Sequence, residues 1–135
     1  MLYLKTRCSV PKYLVVTPII SSVIIPLIIM DIWMEVYHRT CFPLCGIPYI
    51  KRKNYIKVMD RAKLPYLNVR QKAFCMYCGY GNGLIHYREQ IAGETESYRC
   101  GIQHKKDKHF IPSDHEKDFA KYGDKDSFIQ KYCQQ

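Results

Sequence analysis

The strongest pattern in the chain is a long absence of charge. YLVVTPIISSVIIPLIIM, Tyr13 to Met30, carries no charged residue over 18 positions, and at about 1.5 Å of rise per residue it reaches roughly 27 Å, close to the hydrocarbon thickness of a bilayer. A cleavable signal would have a shorter apolar core and a small-residue cleavage site, whereas Asp31, Ile32, Trp33, Met34 and Glu35 follow here, so retention is expected. Pro18, Pro26, Ser21 and Ser22 weaken the helix locally. A kinked span is preferred, with a re-entrant hairpin and a buried soluble helix as alternatives.

Beyond Met30 the pattern turns amphipathic in DIWMEVYHR, with Trp33 and Tyr37 placed as an interfacial aromatic belt. Glu35 and His38 share a helix face there. Such a pair serves di-iron bundles, but those need a second pair and two further carboxylates, so Glu35 and His38 read as polar residues ending the membrane helix. CFPLCGIPYI, residues 41–50, is broken by Pro43, Gly46 and Pro48. Its Cys41 and Cys45 read as small buried hydrophobes or as juxtamembrane lipidation candidates. A short strand or extended run is expected around Tyr55 to Met59, then a short helix capped by Asn68 and running through Phe74.

GYGNG, residues 79–83, reads as a tight turn that uses left-handed torsions. Leu84, Tyr87, Ile91, Thr95 and Tyr98 then recur at helical spacing. Ser113 and Glu116 form a capping box for a last helix over about Asp114 to Tyr122, ended by Gly123. The fold expected is therefore mainly α, with one N-terminal transmembrane (or re-entrant) helix followed by a small helical Cys/His module. Its divisions are a tail (1–12), a membrane helix with an interfacial end (13–38), a basic juxtamembrane segment (39–67), the Cys/His module (68–112) and a C-terminal helix and tail (113–135).

Charge sharpens this picture. The 135 residues carry a formal net charge of +9, which favours a polyanionic partner. Between Arg39 and Lys72 nine Lys/Arg face the single acid Asp60, directly after the apolar segment. That placement suits anionic lipid headgroups, with Lys51, Arg52, Lys53 and Lys57 as the contacting residues, better than a nucleic-acid groove. It also favours a cytoplasmic location for the part after the helix. Seven cysteines, an odd set with no secretion signal, point to thiols or metal ligation rather than to a disulfide framework.

Cys75 and Cys78 form a C-x2-C pair, followed after 21 residues by Cys100 and then by His104. Three thiolates and an imidazole are a complete tetrahedral set for zinc, in a closed and hence structural site. Closure requires Gly93 to break the intervening helix and reverse the chain. The competing uses are iron held by the thiolates in a small electron carrier and a C-x2-C dithiol, although the strand-helix-strand pattern of a dithiol oxidoreductase is missing. His86, His109 and His115 read as solvated or helix-face residues. No nucleophile elbow, phosphate loop or dinucleotide fingerprint occurs.

The pieces DIWMEVYHR, CFPLCGIP, YIKVMDRAKLPYLN, CMYCGYGNGL and the Cys100/His104 pair resemble those of a family of small uncharacterised bacterial membrane-associated proteins with a CxYCGYxNGL motif. The resemblance implies a bacterial origin and membrane association, and no activity. The function expected is a membrane-anchored accessory or interaction protein of a larger membrane complex at the bacterial inner membrane, zinc-stapled, with a redox or electron-transfer protein as the alternative.

Overall fold

The computed structural model describes residues 10–133. Among these the chain is mainly helical and forms no strand, with one isolated parallel bridge between Ile102 and Ala120. The helices are α1 (Val10–Ser22), α2 (Ile24–Leu44), α3 (Val69–Arg99) and a single turn α4 (Lys125–Phe128). Short 3-10 turns lie at Arg52–Asn54, Arg61–Lys63 and Asp114–Asp118, and a π-helical turn covers Ile129–Cys133. The charged residues Lys5 and Arg7 of the expected N-terminal tail lie outside the described residues.

α1 and α2 are separated only by Val23. Val23 keeps helical torsions (φ −60°, ψ −21°), so the break is local and the chain does not reverse. Its causes were legible: Pro26 has no N–H to donate one turn back, and the Ser22 hydroxyl bonds the Ile19 carbonyl at 2.7 Å. The stretch Leu14–Leu44 is long and apolar enough to cross a membrane. Most of its apolar side chains are exposed, with Leu14 71%, Ile19 62% and Trp33 76%. α2 ends at Gly46, whose φ of +69° suits glycine, and the Ile47 N–H closes the cap on the Phe42 carbonyl at 2.9 Å.

The chain forms two compact units, Met1–Arg88 and Glu89–Gln135. This division differs from the expected module over 68–112. In the first unit Phe42, Leu84 and Tyr87 are fully buried together with His38. The start of α3 runs beside the apolar helix in the same general direction. The Tyr77 hydroxyl donates to the Ile20 carbonyl at 2.5 Å, Gly81 faces Leu27, and further along Tyr80 and Arg88 reach Asp31. α3 begins as expected at Asn68, whose Oδ1 accepts from the Gln71 N–H at 2.8 Å while Gln71 Oε1 accepts from the Asn68 N–H at 3.0 Å.

α3 does not stop near Phe74, nor does GYGNG make a turn. Gly79, Gly81 and Gly83 lie inside the helix, and none of them has positive φ. Their use is close approach. A Cβ on Gly79 would fall 2.9 Å from the Lys57 carbonyl oxygen, and one on Gly83 would fall 2.8 Å from that of Tyr55. The segment 55–58, which forms no strand and opens with Tyr55 in helical torsions, thus lies directly on the glycine face of α3.

In the second unit Ile91, Phe119 and Ala120 are buried. Gly93 sits in unbroken helix, where a Cβ would meet the His115 ring at 2.8 Å. The capping box of Ser113 and Glu116 is present, but the turn it opens is a 3-10 helix of five residues, Asp114–Asp118. Backbone bonds from Gln103 N to Ala120 O and from Ala120 N to Gly101 O, both 2.8 Å, tie this turn to the chain leaving α3.

Candidate functional site

The best-developed polar constellation is built around Asp31, the first charged residue after the apolar run. Its side chain is 12% exposed. A carboxylate so placed needs partners, because burying an unpaired charge is prohibitive. Three residues supply them. Arg52 approaches fork-on with both terminal nitrogens, Nη2 at 2.6 Å from Oδ2, the Tyr80 hydroxyl donates to Oδ2 at 2.8 Å, and Arg88 Nη2 bonds both the carboxylate and the backbone carbonyl, the latter at 2.8 Å.

One turn further, Glu35 accepts from Arg39 Nε at 2.8 Å and from the Tyr49 hydroxyl at 3.0 Å, and lies 3.8 Å from Arg88 Nη2. His38 is fully buried, stacked on Tyr49 with ring centres 4.3 Å apart. Its Nε2 accepts the Ile50 N–H at 3.2 Å. In the neutral ring the proton therefore sits on Nδ1 and is donated to the Tyr87 hydroxyl, 3.1 Å away. The Tyr87 O–H in turn faces the Ile50 carbonyl at 3.2 Å and Glu35 Oε2 at 3.4 Å.

The environment acts on the groups that α3 and the loop contribute. Burial, then the Tyr49 hydrogen bond and the charge of Glu35, push the Tyr87 phenol well above its ordinary value. Tyr80 is likewise raised, by burial and by its bond to Asp31. The bond to Asp31 holds the Arg52 guanidinium more firmly charged. Two carboxylates, Asp31 and Glu35, face three guanidiniums, Arg39, Arg52 and Arg88. Arg88 is the most deeply placed, 5% exposed, and its Nε and Nη1 find no hydrogen-bond acceptor; its guanidinium lies 4.8 Å from the Tyr87 ring centre, a cation–π contact. The cluster binds the loop after α2 and the middle of α3 to the polar end of the apolar helix.

The residues proposed from sequence fare differently. Cys75 and Cys78 lie in the second turn and third turn of α3, and Cys100 follows its last residue. The reversal at Gly93 that would bring Cys100 and His104 back to them does not occur, because Gly93 accommodates His115 within a continuous helix. Among the described residues no three His, Cys, Asp or Glu side chains converge as a metal site. His104 instead bonds Glu116 through Nδ1 at 3.1 Å, and His115 bonds Glu96 through Nε2 at 3.0 Å. Lys51, Lys53 and Lys57 are exposed, while Arg52 is turned inward onto Asp31. Cys45 is exposed and Cys41 partly so.

Sequence reasoning passed over Asp31, Tyr80 and Arg88. A signal for them existed: an acid closing an apolar run demands a cation, and Arg88 adjoins Tyr87 on the stripe that carries Leu84 and Ile91. No family model, no curated protein and no solved structure matches the chain.

Proposed function

We propose that the chain is a membrane-anchored accessory or interaction protein, with α1 and the start of α2 up to Met30 in the bilayer and the basic loop held at its surface. One observation carries this reading: most of the apolar side chains from Leu14 to Met30 are exposed, while the first charge after them, Asp31, is fully engaged by Arg52, Tyr80 and Arg88. An apolar helix left bare in this way calls for lipid or for neighbouring membrane helices. Exposed Lys51, Lys53 and Lys57 follow it and suit anionic headgroups. Positive charge on this side and the free cysteines favour a cytoplasmic side for the loop and second unit, and the resemblance implies the inner membrane of a bacterium. Metal ligation and thiol redox chemistry at Cys75, Cys78, Cys100 and His104 form no part of this reading.

The test is extraction and topology. The protein is expected to stay in the membrane pellet after alkaline carbonate washing, and a variant retaining only Cys133 is expected to react with a membrane-impermeant thiol reagent only after lysis. A photo-crosslinking side chain at Trp33 is expected to capture another membrane protein. Release by carbonate refutes the anchor, labelling in intact cells refutes the orientation, and crosslinks to lipid alone refute the accessory role.

A further inference from the structure

The second unit holds a half-open cavity of about 480 Å³, within the range of small-molecule sites, where a little apolar wall adjoins several polar and charged side chains. Phe110 and Pro112 supply apolar wall, and half-exposed His104, Lys106 and Asp107 stand on the lining. The His104 ring leans on Phe110, with centres 5.1 Å apart.

His104 is held by a buried acid. Glu116, 6% exposed, takes the His104 Nδ1 at 3.1 Å and its backbone N–H at 3.4 Å on Oε2, and the Ser113 N–H at 3.4 Å on Oε1. Burial alone would raise the Glu116 carboxyl, but these bonds from His104 and Ser113 outweigh it and hold the group below its ordinary value. An ionised carboxylate only accepts, so the proton of neutral His104 is fixed on Nδ1 and Nε2 keeps its lone pair. This is how a working histidine is oriented for hydrogen bonding or proton transfer to a bound molecule. Lys117, also on the lining, is drawn to Asp114 at 2.6 Å. Lys106 belongs to the run His104–His109, where three lysines face one acid, Asp107.

We propose that this cavity binds a small hydroxylated aromatic carboxylate: the ring against Phe110 and Pro112, the carboxylate on Lys106, and the hydroxyl donating to His104 Nε2. The site is independent of the membrane reading, since all its residues belong to Glu89–Gln135. Only non-covalent binding is assigned.

The test is calorimetric titration of the full chain in nanodiscs with 4-hydroxybenzoate, 4-hydroxybenzyl alcohol, benzoate and inorganic phosphate. Saturable binding of 4-hydroxybenzoate is expected, with benzoate and the alcohol each weaker. His104→Gln and Phe110→Ala are each expected to lower affinity about tenfold or more. Lys106→Gln, at an exposed position that does not support the fold, is expected to remove the preference for the carboxylate over the alcohol. In protein labelled with ¹⁵N-histidine, the His104 Nε2 resonance is expected to move on saturation while that of His115 stays. Absence of saturable binding into the millimolar range, equal binding of phosphate, or affinity unchanged in Lys106→Gln and Phe110→Ala overturns the proposal.

Discussion

Arg88 grips Asp31 twice, once on the carboxylate and once, at 2.8 Å, on the backbone carbonyl of the same residue. The second bond takes up a carbonyl in α2 as well as its side chain, so the guanidinium fixes both the charge and the local rotation of the helix. Deleting one partner of such a buried pair leaves an uncompensated charge. Asp31→Ala is therefore expected to cost about 3–5 kcal/mol in unfolding followed by circular dichroism in detergent. Arg52 is 35% exposed and its loss is screened by solvent, so Arg52→Ala is expected to cost about 1 kcal/mol or less. Equal costs for the two would show that burial does not rank these partners.

Gly81 and Gly83, two of the four glycines of α3, make a contrasting pair. Alanine is favoured over glycine in a helix by about 1 kcal/mol, which is the expected gain where space exists. At Gly81 the nearest atom to a new Cβ is Leu27 Cδ1 at 3.6 Å, so Gly81→Ala is expected to be neutral or stabilising. At Gly83 the obstacles are the backbone of Tyr55 and Ile56 at 2.8 and 3.0 Å. Gly83→Ala is expected to destabilise by about 1–3 kcal/mol, the usual cost of overpacking. Denaturant midpoints of the two variants compare these directly.

Surface charge and buried charge separate by salt. Replacing Lys51, Lys53 and Lys57 together by Gln is expected to weaken recruitment of detergent-freed protein to anionic vesicles and to flatten its salt dependence, with thermal stability unchanged. Arg52→Gln is expected to act the other way, lowering stability with little effect on the salt slope. Flotation assays at several ionic strengths distinguish the two classes.

Glu116 sets an acid limit for the second unit. Its folded carboxyl lies below the ordinary 4.5, so the folded form favours the ionised state. The stabilisation this gives is complete above about pH 4.5 and is lost as pH falls through the lower folded value. Acid unfolding reported by hydrogen exchange at Ala120 and Gln103, whose amides join this turn to the end of α3, is expected to begin in that window. Glu116→Gln is expected to be less stable at neutral pH and to lose this part of the acid dependence.

The helical class, the apolar segment, the local break at Val23, the Asn68 and Ser113 caps and the buried stripe of Leu84, Tyr87 and Ile91 were legible because each depends on neighbours within a turn or two. The glycines misled because glycine serves two needs, positive φ and close approach, and only the position of residues 55–58 tells which applies. The Cys/His tetrad was argued from ligand types, yet its closure hinged on a break at Gly93, which instead lies in continuous helix with the His115 ring of another part of the chain against it. Arg52 illustrates the same limit: in a run of cations, composition cannot say which one an acid far back in the chain will withdraw from the surface.

Under the membrane reading proposed above, the clamp on Asp31 also bears on bilayer thickness. From Leu14 to Asp31 the apolar helix rises about 26 Å, somewhat short of an average hydrocarbon layer of about 30 Å, and Arg52 and Arg88 keep that end from sliding deeper. A thick membrane must then thin around the protein, and a thin one must tilt the helix. Because Tyr77 is bonded to the Ile20 carbonyl lower on the same helix, the first turns of α3 tilt with it. On that reading the Asp31 clamp acts as a fixed stop, and the lipid rather than the chain does the adjusting.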